Sequence, residues 1–190
     1  MKSIGIVLTV PFTLNAFVRP HLELLALEYE ITIFLNMEGS SILPVVPPGV
    51  HLVQLDIARR IALWADLKTL IALAGKFRRA RFDLVLSMTP KGGLLAMLAA
   101  WFAAVPRRVH CFTGQVWATR RGFSRAFLKS MDRLIALCAT RSLADSGSQR
   151  QYLIEEGVVR AGDIDVLANG SMAGVDLERF HPDSAAGSRI

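Results

Sequence analysis

The fold is decided by the stretch DLVLSMTPKGGLLAMLAA, which occupies residues 83–100. Residues 83–87 are mostly aliphatic and lack polar alternation, which is typical of a strand covered on both faces. Residues 89–93 then supply the Pro and Gly of a turn, and an apolar helix is predicted at residues 94–104, stopped by Pro106. A buried strand that leads directly into a helix is the first half of a β-α-β unit.

The same alternation extends in both directions along the chain. Strands are predicted at residues 3–10, 30–35, 51–55, 83–87, 108–112, 141–144 and 164–167. Helices are predicted at residues 17–27, 58–82, 94–104, 122–139 and 148–157, the last opened by a capping-box pattern that starts at Ser148. This order predicts an α/β fold with a doubly wound, mostly parallel sheet over residues 1–170. The pattern stops beyond Gly174, so residues 171–190 are interpreted as a linker toward a further domain.

The composition predicts one folded core with a basic middle segment. The chain has 190 residues, of which 52% are hydrophobic and 20% charged, a balance that excludes disorder as the main state. Residues 59–133 hold fifteen Lys or Arg against three acidic residues, a net of +12, whereas the rest has a net of −6. Such a segment suits an anionic partner: nucleic acid, a phosphorylated metabolite or an anionic membrane surface.

Localisation and metal content are predicted from features that the sequence lacks. The first residues carry one Lys and no cleavage site after a long apolar run, so we expect no signal peptide and a cytoplasmic protein. The apolar run at residues 92–106 is shorter than the roughly 20 residues of a spanning helix and is interpreted as buried. Cys111 and Cys138 are interpreted as reduced thiols in apolar surroundings. No zinc-type Cys/His spacing is present, and we expect no Asp-x-Asp metal site.

Ligands of doubly wound sheets bind at the carboxyl ends of the strands, so the loops that follow strands are the candidate sites. The first of them, Pro11-Phe12-Thr13, has no G-x-G-x-x-G sequence, which disfavours an NAD or FAD enzyme. In Lys91-Gly92-Gly93, two glycines and a charge at a helix start indicate an anion site. The alternative is an ordinary turn with a solvated Lys91.

The loop after the predicted strand at residues 108–112 has the most unusual composition. Thr113-Gly114-Gln115, Trp117 and Arg120 combine hydroxyl, amide, indole and guanidinium groups, a mixture that suits a sugar or a phosphate. The alternative is that Trp117 fills the core while the arginines are solvated. His110 is either a polar contact at this site or a core residue, and Ser146, after the next strand, lines the cleft or caps a helix.

Four basic residues recur at a spacing of four after this loop. Arg121, Arg125, Lys129 and Arg133 therefore share one face of a predicted helix. The stripe is interpreted either as a solvated face or as a surface that rests on anionic lipid head groups, which would place the protein peripherally on the inner face of the membrane.

Five segments, taken in order, carry a resemblance to a known family. They are Thr89-Pro90-Lys91-Gly92-Gly93, Phe112-Thr113-Gly114-Gln115-Val116-Trp117, Ala144-Asp145-Ser146-x-Ser148-Gln149-Arg150, Asn169-Gly170-Ser171 and Gly174-Val175-Asp176-x-x-x-Phe180-x-Pro182. This order resembles the amino-terminal half of retaining glycosyltransferases of family 4, which have the two-domain GT-B fold. The similarity covers nearly the whole chain. It implies a Rossmann-like amino-terminal domain at residues 1–170, followed by a linker to a carboxy-terminal donor-binding domain outside this sequence.

The resemblance also implies an activity. The intact enzyme would transfer a sugar from a nucleotide-diphosphate sugar to a glycan or polyprenyl-linked acceptor with retention, without a metal or other cofactor, and this part alone would be inactive. Members of the family build capsular, exopolysaccharide or lipid-linked oligosaccharides in bacteria. A family histidine corresponds to Thr113, so no catalytic residue is assigned. The residues expected to contact substrate are Pro11, Phe12, Thr13, Lys91, Gly92, Gly93, Thr113, Gly114, Gln115, Trp117, Arg120, Ser146, Asn169, Gly170 and Ser171.

Three alternatives stay open at this point. One is a stand-alone, membrane-associated acceptor-binding subunit of a split glycosyltransferase, which requires a partner chain. A second is a GT-B-like nucleotide-sugar epimerase, which needs no acceptor. Nucleic-acid binding is the third, and it is not expected because too few aromatic residues are interleaved with the basic ones to form a stacking platform.

Overall fold

The computed structural model describes residues 1–38, 40–57 and 62–174. Within them, seven strands form one sheet in the order β3-β2-β1-β4-β5-β6-β7, and every neighbouring pair is parallel. The strands are β1 Lys2–Val7, β2 Tyr29–Leu35, β3 His51–Gln54, β4 Leu84–Met88, β5 Arg107–Phe112, β6 Arg141–Ala144 and β7 Ile164–Val166. The predicted doubly wound parallel α/β sheet is confirmed.

Helices cover the sheet from both sides. They are α1 Pro11–Thr13, α2 Arg19–Glu28, α3 Leu63–Ala80, α4 Pro90–Phe102, α5 Gly122–Cys138 and α6 Gly147–Glu155, with a π-helical segment, Leu14–Val18, between α1 and α2. Helices α3 to α6 pack on one face around a core that includes Phe77, Ile135 and Leu153. The π-helical segment and α2 pack on the other face, where Leu22 lies against the apolar side chains of β1 and β2. No helix in the described ranges is long and apolar enough to cross a membrane.

Two helix starts differ from the prediction for identifiable reasons. Helix α4 begins at Pro90, so residues 89–93 are its first turn and not a separate turn, because the fixed φ of Pro suits the first helical position. Helix α6 is capped by Ser146 and not by Ser148: Oγ of Ser146 accepts from N–H of Gln149 at 3.1 Å. The start of the helix predicted at residues 58–82 lies partly outside the described residues.

The strand order reverses between β1 and β4. Ile6 on β1 pairs with Ile33 on β2 at one side and with Leu86 on β4 at the other. Strands β2 and β3 extend the sheet in one direction, and β4 to β7 extend it in the other. In doubly wound sheets the ligand crevice lies at the carboxyl ends of the strands that flank this point.

Candidate functional site at the carboxyl edge of the sheet

The loops that follow β1 and β4 meet at the point where the strand order reverses. The hydroxyl groups of Thr9 and Thr89 form a hydrogen bond with each other. A Cβ atom at Gly92 would lie 2.9 Å from Oγ1 of Thr89 and 3.2 Å from Oγ1 of Thr9. A glycine at this position therefore lets the first turn of α4 approach both hydroxyl groups.

The second glycine of α4 makes room for a buried histidine. His110 on β5 is 1% exposed, and its Nδ1 lies 2.8 Å from Oγ of Ser87 on β4. A Cβ atom at Gly93 would lie 2.3 Å from Cε1 of His110, so the imidazole packs directly against the helix start. Burial lowers the pKa of His110 to about 3, and the ring is neutral near pH 7. Of its two interpretations, the core position is the one that the structure shows.

The predicted anion site at Lys91, Gly92 and Gly93 has a different geometry from the one expected. Side chains of the protein already occupy the space next to both glycines: Thr9 and Thr89 lie beside Gly92, and His110 lies beside Gly93. Nζ of Lys91 lies 2.7 Å from Oδ1 of Asp66 on α3, so Lys91 is not a solvated side chain. Contact of this segment with an anionic ligand stays a prediction.

Trp117, in the loop after β5, is a core residue. Its side chain is 1% exposed, and Nε1 donates a hydrogen bond to Oδ2 of Asp132 on α5 at 2.7 Å. Tyr152 of α6 stacks on the indole with ring centroids 5.4 Å apart. The charged groups of Arg125 and Lys129 lie 5.4 and 5.5 Å from the ring centroid. Of its two interpretations, the core position is the one that the structure shows, and this side chain anchors the loop to α5 and α6. Contact of Trp117 with substrate stays a prediction.

The basic stripe on α5 binds the end of α6. Nη2 of Arg125 and Nζ of Lys129 lie 2.6 and 2.5 Å from the carboxylate of Glu156, and Arg133 donates to the Glu156 carbonyl at 3.3 Å. The hydrogen bonds from Lys129 and Arg125 hold the pKa of Glu156 below its usual value. Arg125 and Lys129 are partly buried against Glu156, whereas Arg121 and Arg133 are exposed. Contact of the stripe with anionic lipid stays a prediction.

Asp132 is a functional candidate that the sequence analysis missed. Burial raises its pKa to about 6, although the hydrogen bond from Trp117 acts in the opposite direction. The residue borders a small depression that it shares with Thr113, Gly114 and Thr89. The sequence contains one feature that could have indicated this residue: Asp132 is the one acidic residue of the predicted helix at residues 122–139.

Gln115 carries an amide that the described part of the chain leaves unsatisfied. Its Nε2 is buried and has no hydrogen-bond partner there. A buried donor without an acceptor costs about 1–3 kcal/mol, so a ligand oxygen at this position would be favoured. Thr113 beside it is half-buried, whereas Gly114 and Arg120 are exposed. The loop after β5 thus presents polar groups at the edge where a ligand is expected.

The loops after β6 and β7 pack on each other. N–H of Ser171 donates to the carbonyl of Asp145 at 2.7 Å, and a Cβ at Gly170 would lie 2.5 Å from the same oxygen. Gly170 has a positive φ of 94°, which favours glycine. Asn169 and Ser171 are exposed, so the turn is packed on one side and open on the other.

The loop after β1 begins with α1. Pro11 and Thr13 are buried, whereas Phe12 is exposed. All fifteen predicted residues lie in loops or helix starts that follow strands. The exposed ones are Phe12, Gly114, Arg120, Asn169 and Ser171, and the half-buried ones are Lys91, Thr113, Gln115, Ser146 and Gly170. The other five are buried. Their contact with substrate stays a prediction.

The two thiols are buried, and the acidic pair at β7 is bound to arginines. Cys111 and Cys138 are free and buried, as predicted, and burial, with Asp145 as a second cause, raises the pKa of Cys111 to about 12. The expectation of no Asp-x-Asp metal site assumed that no such sequence occurs, and this assumption is wrong, because Asp163-Ile164-Asp165 is one. It lies at the amino end of β7, and its carboxylates pair with arginines at 2.6 and 3.4 Å. Across the described ranges, no group of three or more His, Cys, Asp or Glu could hold a metal ion.

Comparison with known proteins identifies related sequences. The family described as "Glycosyl transferase 4-like domain" matches residues 22–170. The chain is 31% identical over 159 residues to "Capsular polysaccharide biosynthesis glycosyltransferase CapM" of Staphylococcus aureus, which covers 80% of this chain and 42% of that protein. It is 32% identical over 127 residues to "UDP-Gal:alpha-D-GlcNAc-diphosphoundecaprenol alpha-1,3-galactosyltransferase" of Escherichia coli, which covers 66% of this chain and 32% of that protein. The chain thus spans less than half the length of these relatives.

Solved structures share the fold. The lipopolysaccharide outer core galactosyltransferase WaaB aligns with a TM-score of 0.64 at 15% identity, over 89% of this chain and 46% of that one. A UDP-GlcNAc 2-epimerase from Methanocaldococcus jannaschii aligns with a TM-score of 0.62 at 16% identity, also over 89% of this chain and 46% of that one. At such identities the likeness shows the fold alone.

Proposed function

The chain belongs to the glycosyl transferase 4-like domain family, and we propose that it is the acceptor-side, amino-terminal domain of a retaining glycosyltransferase. The enzyme would move a sugar from a nucleotide-diphosphate sugar to a glycan or polyprenyl-linked acceptor. The observation that carries the proposal is the extent of the family match, which includes the loops after β4, β5, β6 and β7. The family expected from the sequence is thereby confirmed.

The names of the relatives support the substrate classes. One relative is named for capsular polysaccharide biosynthesis, and the other for UDP-Gal and a diphosphoundecaprenol acceptor. A UDP-sugar donor and a lipid diphosphate acceptor are therefore the first substrates to test. Within these two classes, the particular sugar and the particular acceptor are selected by the residues that contact them.

The strand-end loops suit the acceptor side of a transfer reaction. The Gln115 amide is a buried donor without a partner, and it would donate to a hydroxyl oxygen of the acceptor. Asp132 and Trp117 hold this loop through their 2.7 Å hydrogen bond. In a retaining transfer the acceptor hydroxyl attacks the anomeric carbon from the face that the diphosphate leaves. The bond from this carbon to the diphosphate oxygen breaks, and the hydroxyl proton passes to the departing diphosphate. Such a step needs stabilisation of the leaving charge more than a strong base, and that stabilisation would come from the donor-binding domain.

The lengths of the relatives and one face of the sheet support the proposed domain organisation. The chain matches 42% and 32% of the two relatives, so a further domain is proposed after the linker at residues 171–190. Leu84, Leu86 and Leu143 stay partly exposed on the face that α2 shares. Because parallel sheets are usually buried on both faces, further chain would cover this strip. The domain alone would then lack activity.

An epimerase is the second candidate, because a UDP-GlcNAc 2-epimerase aligns as well as a galactosyltransferase does. The sequence relatives favour the transferase, since both are named as glycosyltransferases at 31% and 32% identity. The split-subunit alternative differs by requiring a second chain for any reaction.

The experiment uses the full-length natural protein with a panel of UDP-sugars, with and without a GlcNAc-diphospholipid of short chain. We expect UDP release and a glycosylated lipid only when the acceptor is present. Interconversion of the UDP-sugars without acceptor would instead identify an epimerase. If neither reaction occurs until a second polypeptide is added, the chain belongs to a split enzyme.

A further inference from the structure

The chain that follows β7 returns along the sheet to α2. Strand β7 lies at one edge of the sheet, and β4, β5 and β6 lie between it and β1. Nevertheless, Nε2 of His21, in the first turn of α2, lies 2.5 Å from the carbonyl oxygen of Met172. Because a carbonyl oxygen only accepts, the ring nitrogen donates this hydrogen bond. Residues 167–174 therefore form a strap that runs from the edge strand to the helix after β1.

Between its two ends the strap lies on the carboxyl ends of β5 and β6. Leu167, Gly170 and Met172 border a narrow space together with Cys111 of β5 and Leu143 of β6. Cys111, Leu143 and Met172 also belong to the apolar core on the face that α2 covers. The strap thus follows the carboxyl edge of the sheet, where the candidate ligand loops lie.

The backbone of the strap has a conformation that needs support. Ala168 and Ser171 have positive φ angles of 47° and 56°, in the left-handed region that residues other than glycine disfavour. Such residues persist there only where surrounding contacts hold them, and they concentrate at functional sites. One contact is the bond from N–H of Ser171 to the carbonyl of Asp145 at 2.7 Å. His21 supplies a further one at the next residue, Met172.

The packing of α2 itself does not require His21. The His21 side chain is exposed, whereas the neighbouring Leu22 is fully buried and holds the helix on the sheet. The hydrogen bond of His21 joins residues that are 151 positions apart, so it stabilises the position of the strap and not the helix. Because α2 follows the loop after β1, the bond connects the strap to the part of the domain where the strand order reverses.

We propose that His21 is a positioning residue, which holds the Met172 carbonyl and thereby determines where the chain leaves this domain. The inference rests on the proposed function, because it takes from it a donor-binding domain that follows the strap. Transfer requires the acceptor bound here and the sugar bound by that domain to meet in a narrow range of positions. A displacement of about 1 Å, caused by a change far from the reacting atoms, can lower a rate about 100-fold. Loss of the His21 bond should therefore lower the rate of transfer and not the binding of either substrate.

The first test measures the steady-state kinetics of the full-length natural protein with the UDP-sugar and the acceptor that it uses. H21A should lower kcat about three- to tenfold, because one hydrogen bond is lost, and should leave both KM values within about twofold. H21Q retains an amide N–H that can donate to the Met172 carbonyl, and it should restore most of kcat. The matched control is E23A: Glu23 is exposed in the same helix, and its loss should leave kcat and both KM values unchanged.

Two further measurements need no substrate and therefore separate this inference from the proposed function. In hydrogen exchange, the amides of Ser171 and Gly174 should exchange about fivefold faster in H21A, whereas the amide of Ile6 in β1 should not change. In small-angle X-ray scattering of the full-length protein, H21A should give a larger radius of gyration. Melting temperatures of the variants should stay within about 2 °C of the natural protein, since the substituted side chains are exposed.

Unchanged hydrogen exchange in H21A overturns the inference, and so does faster exchange with an unchanged kcat. A fall in kcat that H21Q does not reverse assigns His21 a role other than this hydrogen bond and also overturns it. A natural protein that transfers no sugar overturns the proposed function alone. In that case, faster exchange and a larger radius of gyration in H21A support the inference, and equal values overturn it.

Discussion

Trp117 donates its indole hydrogen to Asp132 at 2.7 Å, and both side chains are buried. The bond connects the loop after β5, where the acceptor is proposed to bind, to the middle of α5. Glu156 reinforces the connection from α6, because its carboxylate binds the two cations that flank the indole. The conformation of this loop thus depends on its contacts with α5 and with the end of α6.

The buried Asp132 makes stability depend on pH. Its folded pKa of about 6 lies above the ordinary value of 3.8, so the folded state binds the proton more tightly than the unfolded state does. Its contribution to stability therefore falls as pH rises from about 4 to about 6 and then levels off. Substitution D132N removes this titration and retains an oxygen for the indole. Relative to the natural protein, D132N should gain about 1 kcal/mol between pH 5 and pH 7.

Chemical denaturation of both proteins at the two pH values measures this gain. D163N is a matched control, because Asp163 is paired at the surface with Arg160 and is not buried. A stability difference between D132N and the natural protein that stays constant with pH would show that Asp132 has an ordinary pKa in the folded state.

The contact between Gly93 and His110 predicts a steric effect. A methyl group at Gly93 would meet the imidazole at 2.3 Å, so G93A should lower the free energy of unfolding by about 1–3 kcal/mol. Gly75 on α3 has nothing within 4 Å of the corresponding position, so G75A should raise it by about 0.5–1 kcal/mol. Urea unfolding distinguishes the two variants, and equal stability of both would contradict the close approach.

The Glu156 carboxylate should hold α5 and α6 together through charge. E156Q should lower the melting temperature near pH 7 at low salt, because Arg125 and Lys129 lose their shared partner. The folded pKa of Glu156 is depressed, so its contribution is present above the unfolded pKa and is lost as pH falls through the folded one. The difference in melting temperature should therefore disappear in acid and shrink in high salt. A difference that survives both conditions would indicate a packing effect instead.

The fold could be predicted because its signals are local. Uninterrupted apolar runs such as residues 84–86 indicate parallel strands, and the intervening helical periods allow few other arrangements. The predicted start of α4 differs from the observed start at Pro90, because a Pro followed by two glycines is compatible with a turn as well as with the first turn of a helix. The same glycines suggested space for a ligand, yet that space is filled by Thr9 and Thr89, which follow β1 and β4, and by His110 on β5.

The site was less predictable because its contacts are distant in sequence. Spacing showed that Arg125 and Lys129 share a helix face, but it could not show that Glu156, about 30 residues later, lies against that face. Likewise, apolar spacing on α3 does not distinguish Leu73, which is fully buried, from Trp64, which is 80% exposed. Such distinctions depend on which elements pack together, and only the three-dimensional arrangement shows that.

The central claim is that this domain holds the acceptor at the loop after β5, and Gln115 tests it most directly. In the full-length enzyme, Q115L should raise KM for the acceptor about five- to tenfold, because one hydrogen bond to substrate is lost, and should leave KM for the UDP-sugar unchanged. T119V, at an exposed position of the same loop, is the control and should change neither constant. An unchanged acceptor KM in Q115L, or a rise confined to the donor KM, would contradict the assignment.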